Sequence, residues 1–140
     1  MRHKGSISQV NIERDRMVPH LFRKAKSLVA WPTKMSVICE LVAAMPVPEY
    51  FISSDTAIDY IRRRYGGKEV RLFQSKYKQL LYDALYDRFL ELMEIYRGKR
   101  SIPYIVQLAL ASPAPCPGLS PWQIYAIMLR HKKQFQKRKS

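Results

Sequence analysis

The sequence predicts an all-α protein of five to six helices, in which two pseudo-repeated helix-loop-helix units are joined by a long central helix. Three observations carry this expectation. Residues 38–63 recur without a gap at 105–130: Ile38 matches Ile105, Leu41 matches Leu108, Pro46 and Pro48 match Pro113 and Pro115, Ser53 matches Ser120, and Arg63 matches Arg130. Between Lys68 and Arg97 no proline or glycine interrupts a series of apolar residues spaced at steps of three and four, the period of a helix. In each copy the prolines stand where a helix must stop, and the serine where the next can start.

Residues 1–15 mix Gly, Ser, Asn and charges without an apolar period and read as a mobile basic arm. A single helical domain is expected over 16–131, followed by a basic tail over 132–140. Met17, Leu21, Phe22, Ala25, Leu28 and Val29 recur at helical spacing and predict a first helix, with His20 beside Pro19 read as a helix-start residue. That helix should end before Trp31-Pro32, because the residue before proline is pushed out of the helical region. Thr33 is placed to cap a second helix over 34–45, which Pro46 and Pro48 stop. Ser53 or Ser54 can cap the third helix, and Asp55 adds favourable charge at its positive end. Ala57, Ile58, Tyr60 and Ile61 give that helix an apolar face; Arg62, Arg63 and Arg64 complement its negative end, and Gly66-Gly67 breaks it.

The central spine is expected over 70–96, roughly 40 Å at the rise of an α-helix. Tyr82, Tyr86 and Leu90 make a second apolar row beside its main stripe, a possible oligomer surface. After Gly98, Ile102, Ile105, Val106, Leu108 and Ala109 make a short apolar helix that ends at Ser112-Pro113. Ser120-Pro121 then starts a final helix, with Trp122, Tyr125, Ala126 and Leu129 as its expected buried face.

Charge is the outlier in composition. The 140 residues hold 25 Lys and Arg against 11 Asp and Glu, a net charge of +14, and residues 101–140 contain no acid at all. Such a balance favours a polyanionic partner. No apolar run approaches the ~20 residues that cross a bilayer, and no signal segment follows the first residues, so a cytoplasmic location without membrane insertion is expected. Cys39 and Cys116 are too few for a metal cluster and are expected to be free thiols, Cys39 in the core and Cys116 exposed among prolines.

Cationic residues cluster at both ends and once per repeated unit. The candidate phosphate contacts are Arg2, Lys4, Arg14 and Arg16 in the arm, Arg62, Arg63 and Arg64 in the first unit, and Arg130, His131, Lys132, Lys133, Lys137, Arg138 and Lys139 in the second. Gln123 is the one plausible base reader in either unit, since Asp55 and Asp59 in the first would repel phosphate. Asp83, Asp87, Glu91 and Glu94 form an acidic row on the spine that invites thought of a Mg²⁺-dependent nuclease, although such rows are ordinarily solvated faces. The three histidines lack zinc spacing, no glycine-rich phosphate loop is present, and no cofactor, metal or small-molecule substrate is implied. Tyr50-Phe51 could stack on bases, but burial is the simpler expectation for an aromatic pair at this spacing.

The corners Pro46-Val47-Pro48-Glu49-Tyr50-Phe51-Ile52-Ser53 and Pro113-Ala114-Pro115-Cys116-Pro117-Gly118-Leu119-Ser120 resemble a motif of short basic bacterial proteins of uncharacterised activity. In those a helix ends in Pro-Ala-Pro, followed by an aromatic or aliphatic pair and a Ser or Thr cap; the second copy departs from it at Pro117 and Gly118. The resemblance implies the architecture and no chemistry. Charge and architecture together lead to a non-catalytic nucleic-acid-binding accessory protein gripping phosphate backbones, DNA ahead of RNA. The alternative is a phage or mobile-element structural or adaptor protein assembling through Tyr82, Tyr86 and Leu90; a nuclease comes third.

Overall fold

The computed structural model describes residues 6–30 and 32–139, with side chains through Lys133. Among the described residues it holds six helices and no strand: α1 (Ile7–Ser27), α2 (Met35–Ala43), α3 (Ser54–Tyr65), α4 (Lys76–Tyr96), α5 (Ile102–Leu110) and α6 (Pro121–Lys139). None of these helices is long and apolar enough to cross a membrane.

Serine hydroxyls open five of the six. Ser6, Ser53, Ser75, Ser101 and Ser120 each accept a hydrogen bond from the backbone N–H three residues on, which satisfies one of the donors that a helix start leaves free. The exception is α2, whose cap position is Lys34 and carries no side-chain bond. Thr33, expected in that role, instead donates its hydroxyl to the Ala30 carbonyl and closes the preceding loop.

Three helix boundaries differ from expectation for identifiable reasons. The arm expected over 1–15 is helical from Ile7, because Ser6 supplies a cap and Val10 and Val18 are buried on the inner face. Pro19 lies inside α1 rather than at its start, so His20 is a mid-helix residue. The ring costs the helix the N–H that would have bonded the residue 15 carbonyl. The spine starts at Lys76 rather than residue 70, where Ser75 caps it and the Phe73 N–H bonds the Gln79 side chain at 2.8 Å. With 21 residues α4 is no longer than α1.

The two proline corners meet. Val47 and Ala114 exchange backbone hydrogen bonds at 3.0 and 2.9 Å, and both side chains are buried while the flanking Pro46, Pro48, Pro113 and Pro115 face outward. The Tyr50 N–H adds a bond to the Leu110 carbonyl at 3.0 Å; Pro117, the matching residue in the second corner, has no N–H to give. Around the corners, α2 packs on α6 and α3 on α5, while α1 lies against α2 and α6, and α4 against α5. α5 begins 67 positions after α2, and α6 begins 67 positions after α3.

One core results, with Phe89, Ile61, Leu85, Ile105, Leu110 and Ile124 at its centre. Tyr50, Phe51 and Ile52 belong to it, which keeps that aromatic pair away from any ligand. So does Tyr82: at 6% exposure, edge-on to Tyr60 at 4.9 Å, it is a core residue and not part of an oligomer surface. Cys116, expected among exposed prolines, is 1% exposed, with its thiol 3.7 Å from the Tyr77 carbonyl. Burial raises the pKa of both thiols, Cys39 and Cys116.

Candidate functional site

Helices α1 and α6 run alongside each other and leave between them a groove of about 530 Å³. Its α1 wall carries Arg16, His20 and Arg23, and its α6 wall carries Arg130 and His131. The first three stand at steps of four and three, which places them on one helical stripe, and all five side chains are exposed. Arg23 approaches His20 Nδ1 at 3.4 Å. Ile12, Pro19 and Ile127 form apolar parts of the wall, so the cations stand on a partly apolar base. Lys132 and Lys133 continue the exposed positive surface along α6.

Asp15 is the one acid in the wall. It accepts from Arg14 at 3.0 Å and lies 3.7 Å from the Arg130 guanidinium, so part of the groove's positive charge is held by an internal counter-charge.

Of the residues singled out from the sequence, the groove therefore gathers Arg16, Arg130 and His131. Arg14 sits beside them but spends its guanidinium on Asp15 and lines a different cavity, about 300 Å³ in volume, between α1 and the first turns of α3 and α4. Arg23 and His20 were missed. Their spacing from Arg16 is visible in the chain, but reading His20 as a helix start hid the continuous stripe.

The arginines of α3 do not join the groove's walls. Arg63 pairs with Asp59 at 3.2 Å on the same helix. Arg64 reaches Asp83 at 2.8 Å and the Tyr60 hydroxyl at 3.0 Å, and lies 4.2 Å over the Tyr86 ring. Burial lowers the Arg64 pKa, but the bonds to Asp83 and Tyr60 outweigh it, so the net shift is upward. Arg64 clamps α3 to α4, and among the described residues Arg62 alone of the three is exposed and outside an ion pair.

Gln123 is also re-read. Its side chain accepts from the Ser120 N–H at 2.9 Å while its own N–H bonds the Ser120 hydroxyl at 3.2 Å, a reciprocal capping box that occupies the group a base would need. Arg2, Lys4 and the side chains of Lys137, Arg138 and Lys139 lie outside the described residues.

On the acidic row, Asp83 is taken by Arg64 and by Gln79 at 2.9 Å, and Glu91 by Arg88 at 2.8 Å. Among the described residues no three His, Cys, Asp or Glu side chains gather where they could hold a metal ion.

Trp122 departs furthest from expectation. Placed in the core by its spacing, it is 73% exposed, stacked on Tyr125 with ring centroids 5.6 Å apart and planes tilted by 28°. No protein-family model, curated protein or solved structure matches this chain.

Proposed function

We propose that the protein is a non-catalytic nucleic-acid-binding accessory protein that grips the phosphate backbone in the groove between α1 and α6, with DNA the favoured partner. One observation carries this reading: exposed cations from two helices distant in sequence, Arg16 and Arg23 on α1 and Arg130 on α6, line a single open groove. Phosphate contacts need only cations held at such positions, and each one made releases a condensed counterion. Two units, residues 35–65 and 102–132, related by an approximate twofold through Val47 and Ala114, would form the frame that holds α1 against α6. The equal 67-residue offsets of the helix starts and the reciprocal Val47–Ala114 bonds support that frame. Its location is proposed to be cytoplasmic.

The test is retention of a labelled duplex across a salt series. Wild type should lose affinity linearly in log–log form. Replacing Arg16, Arg23 and Arg130 together by Ala should flatten that slope by roughly two to three, about 0.9 for each phosphate that is no longer neutralised. Absence of retention at low ionic strength, or a slope the triple variant leaves untouched, would overturn the proposal.

A second reading, assembly of copies through α4, retains Leu90, which is exposed together with Leu80 and Ile95 on the same helix. Tyr82 is buried and unavailable to it, while Tyr86 is half-buried with Arg64 over one face of its ring. A sedimentation mass of 16.5 kDa without nucleic acid would end that reading.

A further inference from the structure

We propose that the Trp122–Tyr125 pair on α6 is a stacking platform for unpaired bases, so that the strand whose phosphates lie along α6 is single. The inference rests on the backbone-binding reading above and adds to it the state of the nucleic acid.

The outward direction of Trp122 follows from the helix. Its partner 67 positions earlier, Asp55, occupies the second residue of α3 and is exposed, as suits a charged side chain. At two buried positions the helices agree, Ala57 with Ile124 fully buried and Tyr60 with Ile127 nearly so, while fully buried Ile61 matches partly buried Met128. On the solvent face α6 presents a large indole, 73% exposed, whose ring stacks on Tyr125. A ring so exposed offers its flat face to a partner. Beside it Ser36, Cys39, Pro121 and Tyr125 line a shallow, largely apolar depression of about 430 Å³.

Charge identifies the occupant. The same helix carries Arg130, His131, Lys132 and Lys133 on exposed positions, and no acid occurs anywhere in residues 101–140. From Trp122 to Arg130 the axis rises about 12 Å, roughly the span of three to four nucleotides stacked at 3.4 Å. A strand could therefore set bases on the rings while its phosphates reach the cations. Bases in a duplex have their faces occupied by their neighbours; those of a single strand are free, and every base has a π-face, so such a platform is tolerant of sequence.

Fluorescence anisotropy with labelled oligothymidylate of about 12 nucleotides, and with a duplex of equal length, tests this on the full chain. Trp122→Ala should weaken the single strand at least about fivefold, leave its salt slope unchanged and leave the duplex unaffected. Trp122→Phe should recover most of the loss, because it restores a ring. The exposed position makes Ala compatible with the fold, and an unchanged melting temperature checks it.

Unchanged single-strand affinity in Trp122→Ala overturns the platform, as does equal weakening of single strand and duplex. If that happens while wild type still binds duplex with a steep salt slope, the groove reading stands alone; if wild type retains neither nucleic acid, both fall. Binding to phosphatidylserine vesicles, or self-association, that depends on Trp122 while single-strand affinity does not would assign the rings to a bilayer or to a second copy and overturn the proposal.

Discussion

At Gly118 the backbone holds φ at +77°, and a Cβ added there would lie 2.5 Å from Leu81 Cδ2. Gly67 has the same φ but open space around it. The pair separates two costs of replacing glycine. Gly67→Ala bears only the left-handed backbone, about 1–2 kcal/mol, whereas Gly118→Ala adds a clash with a buried leucine worth a further ~1–3 kcal/mol. Urea unfolding should place Gly118→Ala well below Gly67→Ala, and equal losses would show that Leu81 swings aside freely. At this scale the sequence was informative wherever a residue acts on its near neighbours. Ser53 and Ser120 as caps, Gly66-Gly67 as a stop and Cys39 as a core residue could all be read from local chemistry. Arg64 could not, because its partner Asp83 is 19 positions away and only packing of α3 against α4 brings them together. Trp122 failed for a related reason: its spacing fits the apolar series, but periodicity alone does not fix which side of a short amphipathic stripe lies against a neighbour.

Helices α1 and α6 meet with opposing demands, since cations gathered along the groove repel one another when no ligand is bound. Asp15 relieves that repulsion from within, through Arg14 at 3.0 Å and Arg130 at 3.7 Å. Asp15→Asn should therefore raise nucleic-acid affinity severalfold at low salt while lowering stability by up to ~1 kcal/mol, the worth of a partly exposed ion pair. Titration of the variant beside wild type decides it; weaker binding would mean that Asp15 positions Arg130 for the ligand. The groove itself was half legible. Clusters at both ends of the chain were plain, but helical period was read only from Met17 onward, and it is a helix running from Ile7 through residue 27 that sets Arg16 opposite Arg130. Ser6 and Val10 were the available signals for that helix, and Pro19 masked them by standing where a helix more often begins.

Taken whole, the molecule keeps several acidic groups neutral inside its core. Burial pushes the Tyr82 phenol from 10.0 up to about 12, with Tyr60 nearby adding to the effect. Burial likewise raises Tyr50 above 10.0 and Cys39 and Cys116 above 9.0. The unfolded chain releases these protons first, so the stability tied to them is complete below pH 9.0 and is lost as pH climbs through the folded values. Melting temperature should fall steeply between pH 9.0 and about 12. Tyr82→Phe, which keeps the ring, should shed up to roughly 3 kcal/mol of the loss above pH 10; an unaltered alkaline limb would place the sensitivity elsewhere. The all-helical class and the corner positions were readable at this scale, since both rest on period and proline. The interlocking of α2 with α6 and of α3 with α5 was not, because a matched pair of segments says nothing about whether each folds on itself or on its twin. That arrangement governs how the chain matures. Val47 finds its backbone partner only once Ala114 has been made, and closing a loop of that length costs about 4 kcal/mol before packing offsets it. On a chain leaving the ribosome α1 and α2 can already lie against each other, but α3 waits for α5, and the α1–α2 pair waits for α6, the last helix to emerge.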